Sequence, residues 1–504
     1  MPFRVSMYAD DVVIFINPSR TEVHVSIGLL QAFQAVTGLR TNWAKSAVTP
    51  IRCSNTQVEA AVAGTECAIR AFPITYLGLP LTDVRLRKDD LQPIIDALAK
   101  RLRGWKAKLI ALPGRIELVR TVLSGMAIYR IMALAPPKWF IKMVDRLWRG
   151  FLWAADETSP GGRCLVRWRD VCKPRELGGL GISDLQLHGA ALRARWQWRK
   201  WSDDGRSWQQ LILPTDPTAE CVFRASTSII IGDGCKANFW RSHWVDGCRP
   251  ADLWPNLFDH CNGQRLSLCL AINKDKWMQY VKANPSPVVL RELCQLWEAT
   301  QAITFQDDTT DSLRWKWTAS GEYTATSAYH MLFQGSIPSN DNAIIWRAKA
   351  APRAKAFAWI LLKGKCLTAD NLAKRQIPHD HFCPLCQQTP ETAVHLIANC
   401  TFSARVWEKT ASSLGPPYAS IQMQATGRLR DRFRRQVASL PKLDRPTWLA
   451  SCLLVAWCLW KERNARIFYA TASSVNQVHS RILDEARCWL HAGLKPVSKF
   501  FDPP

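Results

Sequence analysis

No stretch of the 504-residue sequence is apolar for long enough to cross a bilayer. The most apolar run, Trp448 to Trp460, is about thirteen residues against the roughly 20 that a spanning helix needs, and its Leu, Val, Ala and Trp content predicts a buried core helix. The opening, MPFRVSMYADDVVIF, has no basic segment leading into an apolar one with a small-residue cleavage site, so no secretory leader is expected. No internal repeat of fixed period and no long low-complexity tract occurs, which excludes a repeat array. Acidic residues are in deficit: 42 Asp and Glu face 66 Lys and Arg, leaving +24. That surplus specifies no fold but favours polyanionic partners, nucleic acid before anionic membrane. The 17 cysteines are odd in number, and Cys452, Cys458 and Cys488 lie singly in apolar stretches, the pattern of a reduced intracellular chain rather than a disulfide framework. A composition 47% hydrophobic and 21% charged rules out wholesale disorder, and at about 150 residues per domain the length allows three or four domains.

The first feature with chemical content lies at the start. Arg4 to Ile16 holds two β-prone runs, RVSMY and VVIFI, around Ala9-Asp10-Asp11, which reads as a hairpin with acidic residues at or beside its turn. A two-stranded hairpin is marginal alone and needs a sheet to join. Adjacent carboxylates at a tight turn can hold two divalent cations about 3.5 to 4 Å apart, as phosphoryl transfer requires; Asp-Asp is also simply good turn chemistry.

The second is a ligand pattern, Cys383-Pro384-Leu385-Cys386 followed by His395 and Cys400, or Cys-x2-Cys-x8-His-x4-Cys. Two thiolates on one tight turn can share a metal, and His395 and Cys400 can present ligands from a short helix or its end. Three sulfurs and one imidazole suit tetrahedral zinc, and a closed set of four indicates a structural rather than a catalytic metal. The alternative is a coincidental Cys-x2-Cys with His395 as a core histidine; His379 and His381 are rival ligands.

Helical periodicity fills the region between. Leu91, Ile94, Ile95, Leu98, Leu102, Trp105 and Leu109 recur at helical spacing, Pro113-Gly114 breaks the run, and two further helices are expected from about Arg115 and after Pro136-Pro137. Three amphipathic helices in succession predict a small bundle. Its polar positions include Lys100, Arg101, Lys106 and Arg115, which by themselves read as a solvated face. Trp196, Trp198 and Trp201 lie on an expected helix over 190–201, and several other tryptophans adjoin a cation: Trp148-Arg149, Trp168-Arg169, Trp240-Arg241 and Trp315-Lys316. Such pairs can stack on bases, but 24 tryptophans are chiefly core anchors with satisfied indole N–H groups. Polar, proline-containing stretches mark boundaries at 202–217 and 334–342, and a hairpin is expected from Trp315–Thr318 to Gly321–Thr324, followed by a helix from Ser327.

Taken in order, these segments resemble one family. Tyr8-Ala9-Asp10-Asp11 in a hairpin resembles the catalytic turn of reverse transcriptases, within the polymerase palm. Gly38-Leu39, Asn42, Lys45-Ser46 and the block Tyr76-Leu77-Gly78-Leu79-Pro80-Leu81 look like the motifs that follow it in non-LTR retrotransposon polymerases. Trp105, Gly114-Arg115, Phe151-Leu152-Trp153, Gly178-Gly179-Leu180-Gly181-Ile182, Phe239-Trp240 and Trp460-Lys461-Glu462-Arg463-Asn464 with Arg466-Ile467-Phe468 continue the series. Trp346, Pro352, Phe357, Trp359, Leu367, Thr368 and Asn371, with the Cys/His set, resemble the zinc-binding domain downstream of reverse transcriptase in plant elements of the long interspersed class.

The resemblance implies an α+β, multidomain chain: partial palm over 1–85, helical thumb and connector over 86–201, Trp-rich connector over 218–333, zinc-binding domain over 342–417 and a helical C-terminal extension over 426–504. In the parent reaction, RNA-templated DNA synthesis, Asp10 and Asp11 would hold magnesium, and the thumb cations Lys100, Arg101, Lys106 and Arg115 would grip template–primer phosphates. The family's third catalytic carboxylate lies on an earlier palm strand, and its fingers precede that strand. The chain is therefore expected to be a fragment, inactive alone, completed by an upstream palm and fingers of the same polyprotein. Some relatives continue into an RNase H domain; an end at Pro504 predicts none. The expected partners are RNA and DNA, with no membrane, and the expected metals are structural zinc and, in a complete polymerase only, magnesium. Two other readings stay open: a non-catalytic nucleic-acid-binding zinc protein, and a decayed transposon product without selected function.

Overall fold

The computed structural model describes residues 4–103, 109–154, 164–202, 217–306, 308–336, 340–418 and 427–502. Helices dominate, with small two-stranded sheets, so the mixed α and β class expected from the sequence is the one observed. The chain divides into two compact units, Met1–Ala97, Arg130–Phe140 and Gly189–Leu332 in one, Leu98–Tyr129, Ile141–His188 and Phe333–Pro504 in the other. Most of the expected boundary at 202–217 lies outside the described residues, as does Lys106.

The first unit begins with the hairpin β1 (Val5–Tyr8) and β2 (Asp11–Ile14), antiparallel with Tyr8 opposite Asp11 and Ala9 left-handed at φ 53° in the turn. Among the described residues the two strands pair only with each other, and Val5, Met7, Tyr8 and Val12 are exposed. Helix α1 (Arg20–Thr37) starts where the Ser19 hydroxyl accepts from the Glu22 N–H and stops at left-handed Gly38. Val23 packs with Val58, Ala61 and Val62 of α2 (Asn55–Val62) in a small core. The Tyr76–Leu81 block forms a tight turn, Leu77 and Gly78 both having positive φ between two antiparallel strands, Ile74–Tyr76 and Leu79–Leu81.

Further along, tryptophans build the cores. Phe239 touches the rings of Trp240, Trp244 and Trp277 at 5.2 to 5.6 Å. The buried Asp311 carboxylate accepts the backbone N–H groups of Gly232, Gly234, Lys236 and Ala237, which closes the loop entering this core. Trp315 belongs to a strand, Ser312–Trp315, whose partner is Thr227–Ile230 rather than the expected Gly321–Thr324. Residues 315–321 close only a turn, through Trp315 N–H on the Gly321 carbonyl, and a helix follows from Ala325. The expected second strand fails because Tyr323 is drawn inward, its ring 4.7 Å from Trp315 and 6.2 Å from Trp198.

The core reading of the tryptophans therefore holds at Trp148, Trp240 and Trp315, all at most 1% exposed. It fails in one respect: the buried indole N–H groups of Trp148, Trp277 and Trp448 have no acceptor among the described residues, whereas Trp244, Trp315, Trp359 and Trp407 do find one.

In the second unit, Gly178 is left-handed and Gly179 lies against the Lys173 carbonyl, which a Cβ there would meet at 1.9 Å. This loop receives Trp359 Nε1–H on the Gly178 carbonyl, tying the Gly-rich block to the helix Pro352–Leu362. Phe357 of that helix stacks on Trp460 of the helix Arg445–Tyr469 at 5.3 Å. The apolar run 448–460 is buried inside this helix, as expected, and no helix among the described residues is long and apolar enough to cross a membrane.

Candidate metal centre

Two local devices bring the ligands together. Cys383 and Cys386 occupy a tight turn closed by the Gln387 N–H on the Cys383 carbonyl (2.7 Å) and by the Cys383 N–H on the Thr389 carbonyl (2.8 Å). The other pair stands on a π-helical turn, His395–Asn399, followed by Cys400 as the N-cap of the helix Thr401–Leu414. In an α-helix, positions five apart point about 140° away from each other. The π-turn instead hydrogen-bonds Cys400 N–H to the His395 carbonyl at 2.8 Å, which returns the fifth residue over the first.

All four ligand atoms lie within 4.8 Å of one another. Cys383 Sγ is 4.0 Å from Cys400 Sγ, and Cys386 Sγ is 3.3 Å from His395 Nε2. Zinc–sulfur and zinc–nitrogen bonds of about 2.3 and 2.0 Å give tetrahedral edges of about 3.5 to 3.8 Å, so the donor set fits that metal in kind and size. Cys383 and Cys400 are fully buried and Cys386 is partly exposed, and four protein donors complete a tetrahedral shell without a water ligand. The thiols are electrostatically unequal. The hydrogen bond from Cys383 holds the Cys400 thiol below the usual range, against the opposing effect of burial, with the N–H groups of Ser403 and Phe402 at the helix start adding to it. Cys383, the donor of that bond, is pushed up. His379 and His381 are exposed and stand outside the group; His379 Nδ1 bonds instead to the Ile377 carbonyl (2.8 Å).

The Arg445–Tyr469 helix braces this centre. Arg466 Nη1 donates to the carbonyls of Pro384 and Leu385 (3.1 and 3.0 Å), the two residues between Cys383 and Cys386. Its guanidinium lies 4.6 Å over the Phe402 ring, and its Nε donates to the fully buried Glu462. One turn earlier, Arg463 forms a buried pair with Glu391, whose carboxylate also accepts the Ala369 N–H. Sequence reasoning matched Glu462, Arg463 and Arg466 to a motif without finding their role. The available signal was charge inside the most apolar helix, where an unpaired ion is prohibitively costly.

The other expected site residues fall as follows. Asp10 lies in the β1–β2 turn and Asp11 opens β2, both exposed, and among the described residues no group of three or more metal-ligating side chains includes either. Lys100 and Arg101 are exposed on the helix α3 (Lys88–Arg103). Arg115 sits half-buried on α4 (Leu112–Leu118), donates Nη1–H to the Phe151 carbonyl at 3.2 Å, and has its pKa lowered by burial.

Residues 323–407, which contain all four ligands, match the family model described as zinc-binding in reverse transcriptase. The chain is also similar to an Arabidopsis thaliana protein named "Putative ribonuclease H protein": 23% identical over 425 residues, 77% of this chain and 66% of the relative. It therefore spans just under two thirds of that relative's length.

Proposed function

We propose that this chain is the downstream part of a non-LTR retrotransposon polyprotein of the plant long interspersed class, with one structural zinc held by Cys383, Cys386, His395 and Cys400. The observation that carries the reading is the convergence of these four side chains within 4.8 Å, inside a segment that matches a reverse-transcriptase-associated zinc-binding family. A zinc ion there supplies a cross-link between the Cys-x2-Cys turn and the π-turn, and so folding free energy rather than chemistry. Arg466 and Phe402 orient the first turn, and Asn399 and Ser403 hold the second.

Template-directed DNA synthesis belongs to the parent polyprotein, with Asp10 and Asp11 contributing two of its metal-binding carboxylates. This chain alone binds RNA or DNA through Lys100, Arg101 and Lys106 without extending a primer. Elemental analysis of the full chain, purified without chelator, tests the reading: one equivalent of zinc is expected. A metal-free protein with an intact fold would refute the zinc assignment.

A further inference from the structure

The segment 428–435 carries five arginines, Arg428, Arg430, Arg432, Arg434 and Arg435, against one acid, Asp431. The helix Leu429–Ser439 sorts them by face. Leu429, Arg432 and Gln436 are buried, and Phe433 and Val437 line an apolar cavity with Leu361, Leu362 and Leu453. Arg430, Arg434 and Arg435 are exposed, with Arg430 and Arg434 one turn apart. Arg430 Nε pairs with the Asp431 carboxylate at 3.7 Å and Arg435 Nε donates to the Asp431 carbonyl at 3.4 Å. A single acid thus faces three exposed guanidinium groups, an excess of positive charge that favours a bound anion.

Other cations share the neighbourhood. Arg430 and Arg434 both line the cavity beside Leu362, and Lys363 follows it. Burial holds the Lys363 ammonium below its usual range; Asp170 opposes this, and Lys173, Arg430 and Arg167 add like-charge repulsion. Asp170 is already divided between Arg167 and Lys173, at 3.0 Å from each. The local balance is positive.

Buried Arg432 fixes where this face stands. Its Nη1 donates to Asn399 Oδ1 at 2.6 Å and its Nε to the Gly427 carbonyl at 3.1 Å. Asn399 ends the π-turn, immediately before the ligand Cys400. The helix is thus anchored to the same turn that presents His395 and Cys400.

We propose that the exposed arginine face of the helix Leu429–Ser439, with Lys363 beside it, binds the phosphodiester backbone of nucleic acid, and that Arg432 positions this face from the metal-ligand turn. Guanidinium forks match phosphate oxygens, and phosphate contacts need no base sequence. A lipid surface is disfavoured because the helix's apolar face is already committed to the cavity. The proposal extends the nucleic-acid part of the proposed function to residues that part does not use; only its zinc dependence rests on the ligand assignment.

The test measures binding of the full-length, zinc-loaded chain to labelled single-stranded RNA and duplex DNA of unrelated sequence across a salt series. Arg430→Gln with Arg434→Gln is expected to retain zinc and to reduce the log–log salt slope by about 1.4 on single strands and about 1.8 on duplex. Lys274→Gln with Lys276→Gln, exposed positions on the other unit, makes the same change in net charge and is expected to leave the slope unaltered. Arg432→Met, which keeps every exposed arginine, is expected to weaken binding toward the double variant, as is zinc removal. An unchanged slope in the arginine variant overturns the proposal, as does an equal loss in the lysine control. Loss of binding only to phosphatidylserine vesicles overturns it too. A slope that responds to Lys100→Gln with Arg101→Gln but not to the arginine pair leaves the thumb reading standing and removes this one.

Discussion

The guanidinium of Arg463 lies bidentate on the carboxylate of Glu391, Nε to Oε1 at 2.7 Å and Nη2 to Oε2 at 2.8 Å, with the two side chains 4% and 1% exposed. A pair this dry contributes little net stability over a well-packed apolar pair, but breaking it by removing one partner strands a buried charge. Arg463→Met is expected to cost about 3 to 5 kcal/mol, read as the opening free energy of residues 366–400 by hydrogen exchange. Arg463→Met with Glu391→Leu is expected to cost less than the single change. A single variant within about 1 kcal/mol of the parent would show the pair to be solvated.

Zinc content should follow the ligand set and no other cysteine. Cys383→Ser, Cys386→Ser, His395→Ala and Cys400→Ser are each expected to lose the metal and the protease resistance of residues 366–414. Cys366→Ser is expected to lose neither, since buried Cys366 lies outside the group. Ligand thiols must be deprotonated, so binding releases protons and the affinity falls as pH drops. A full equivalent of zinc in His395→Ala would transfer the fourth position to His379 or His381.

Arg466 touches no ligand atom, yet it holds the backbone between two of them. Removing such an outer contact typically weakens a metal site by about 10- to 100-fold. Arg466→Met is expected to raise zinc transfer to a competing chromogenic chelator by that order, with stoichiometry kept at one. An unchanged transfer curve would show that the Cys-x2-Cys turn is rigid without its brace.

Burial, with the Asp184 charge adding to it, raises the Asp145 carboxyl to about 6 against the Trp168 hydrogen bond and the Arg149 charge, and its Oδ1 has no partner among the described residues. The folded chain thus holds a proton there that the unfolded chain releases near pH 3.9. Its contribution is fully present below about pH 4 and is lost as pH rises through about 6. Asp145→Asn is expected to stabilise the fold at pH 7, with an advantage that vanishes toward pH 4. Urea midpoints at several pH values measure this, and a constant difference would count against it.

The chain is expected not to extend a primer on an RNA template with magnesium present, and Asp10→Asn to change nothing in that assay. Fusion to an upstream palm and fingers should restore synthesis, then abolished by Asp10→Asn. Incorporation by the unfused chain, sensitive to that substitution, would show that its active site is complete.

What could be read from the residues was whatever depends on near neighbours. The four metal ligands fall within eighteen consecutive residues, so their types and spacing sufficed to nominate them. The helix Lys88–Arg103 was legible in the apolar spacing from Leu91 to Leu102, but Leu109, expected on the same face, is exposed beyond its end and Trp105 lies outside the described residues. The start of the helix at 138 was legible in Pro136-Pro137. Burial of the 448–460 run followed from its composition and length. The turns at Asp10 and Gly78 were likewise local. Tertiary structure decided everything that requires the chain to return on itself. Arg466 meets Pro384 across 82 positions and Arg463 meets Glu391 across 72. The strand ending at Trp315 pairs with residues near 228, not with its neighbour in sequence. Arg115 has the type of a phosphate-binding residue but turns its guanidinium to the Phe151 carbonyl. Even the π-turn that aims His395 and Cys400 at one point left no mark in spacing alone, because an α-helical and a π-helical turn accept the same residues. The physical reason is common to all of these. Local backbone preferences are written in the side chains of one segment, whereas the partner of a buried charge or of a strand is set by which distant surface excludes water from it.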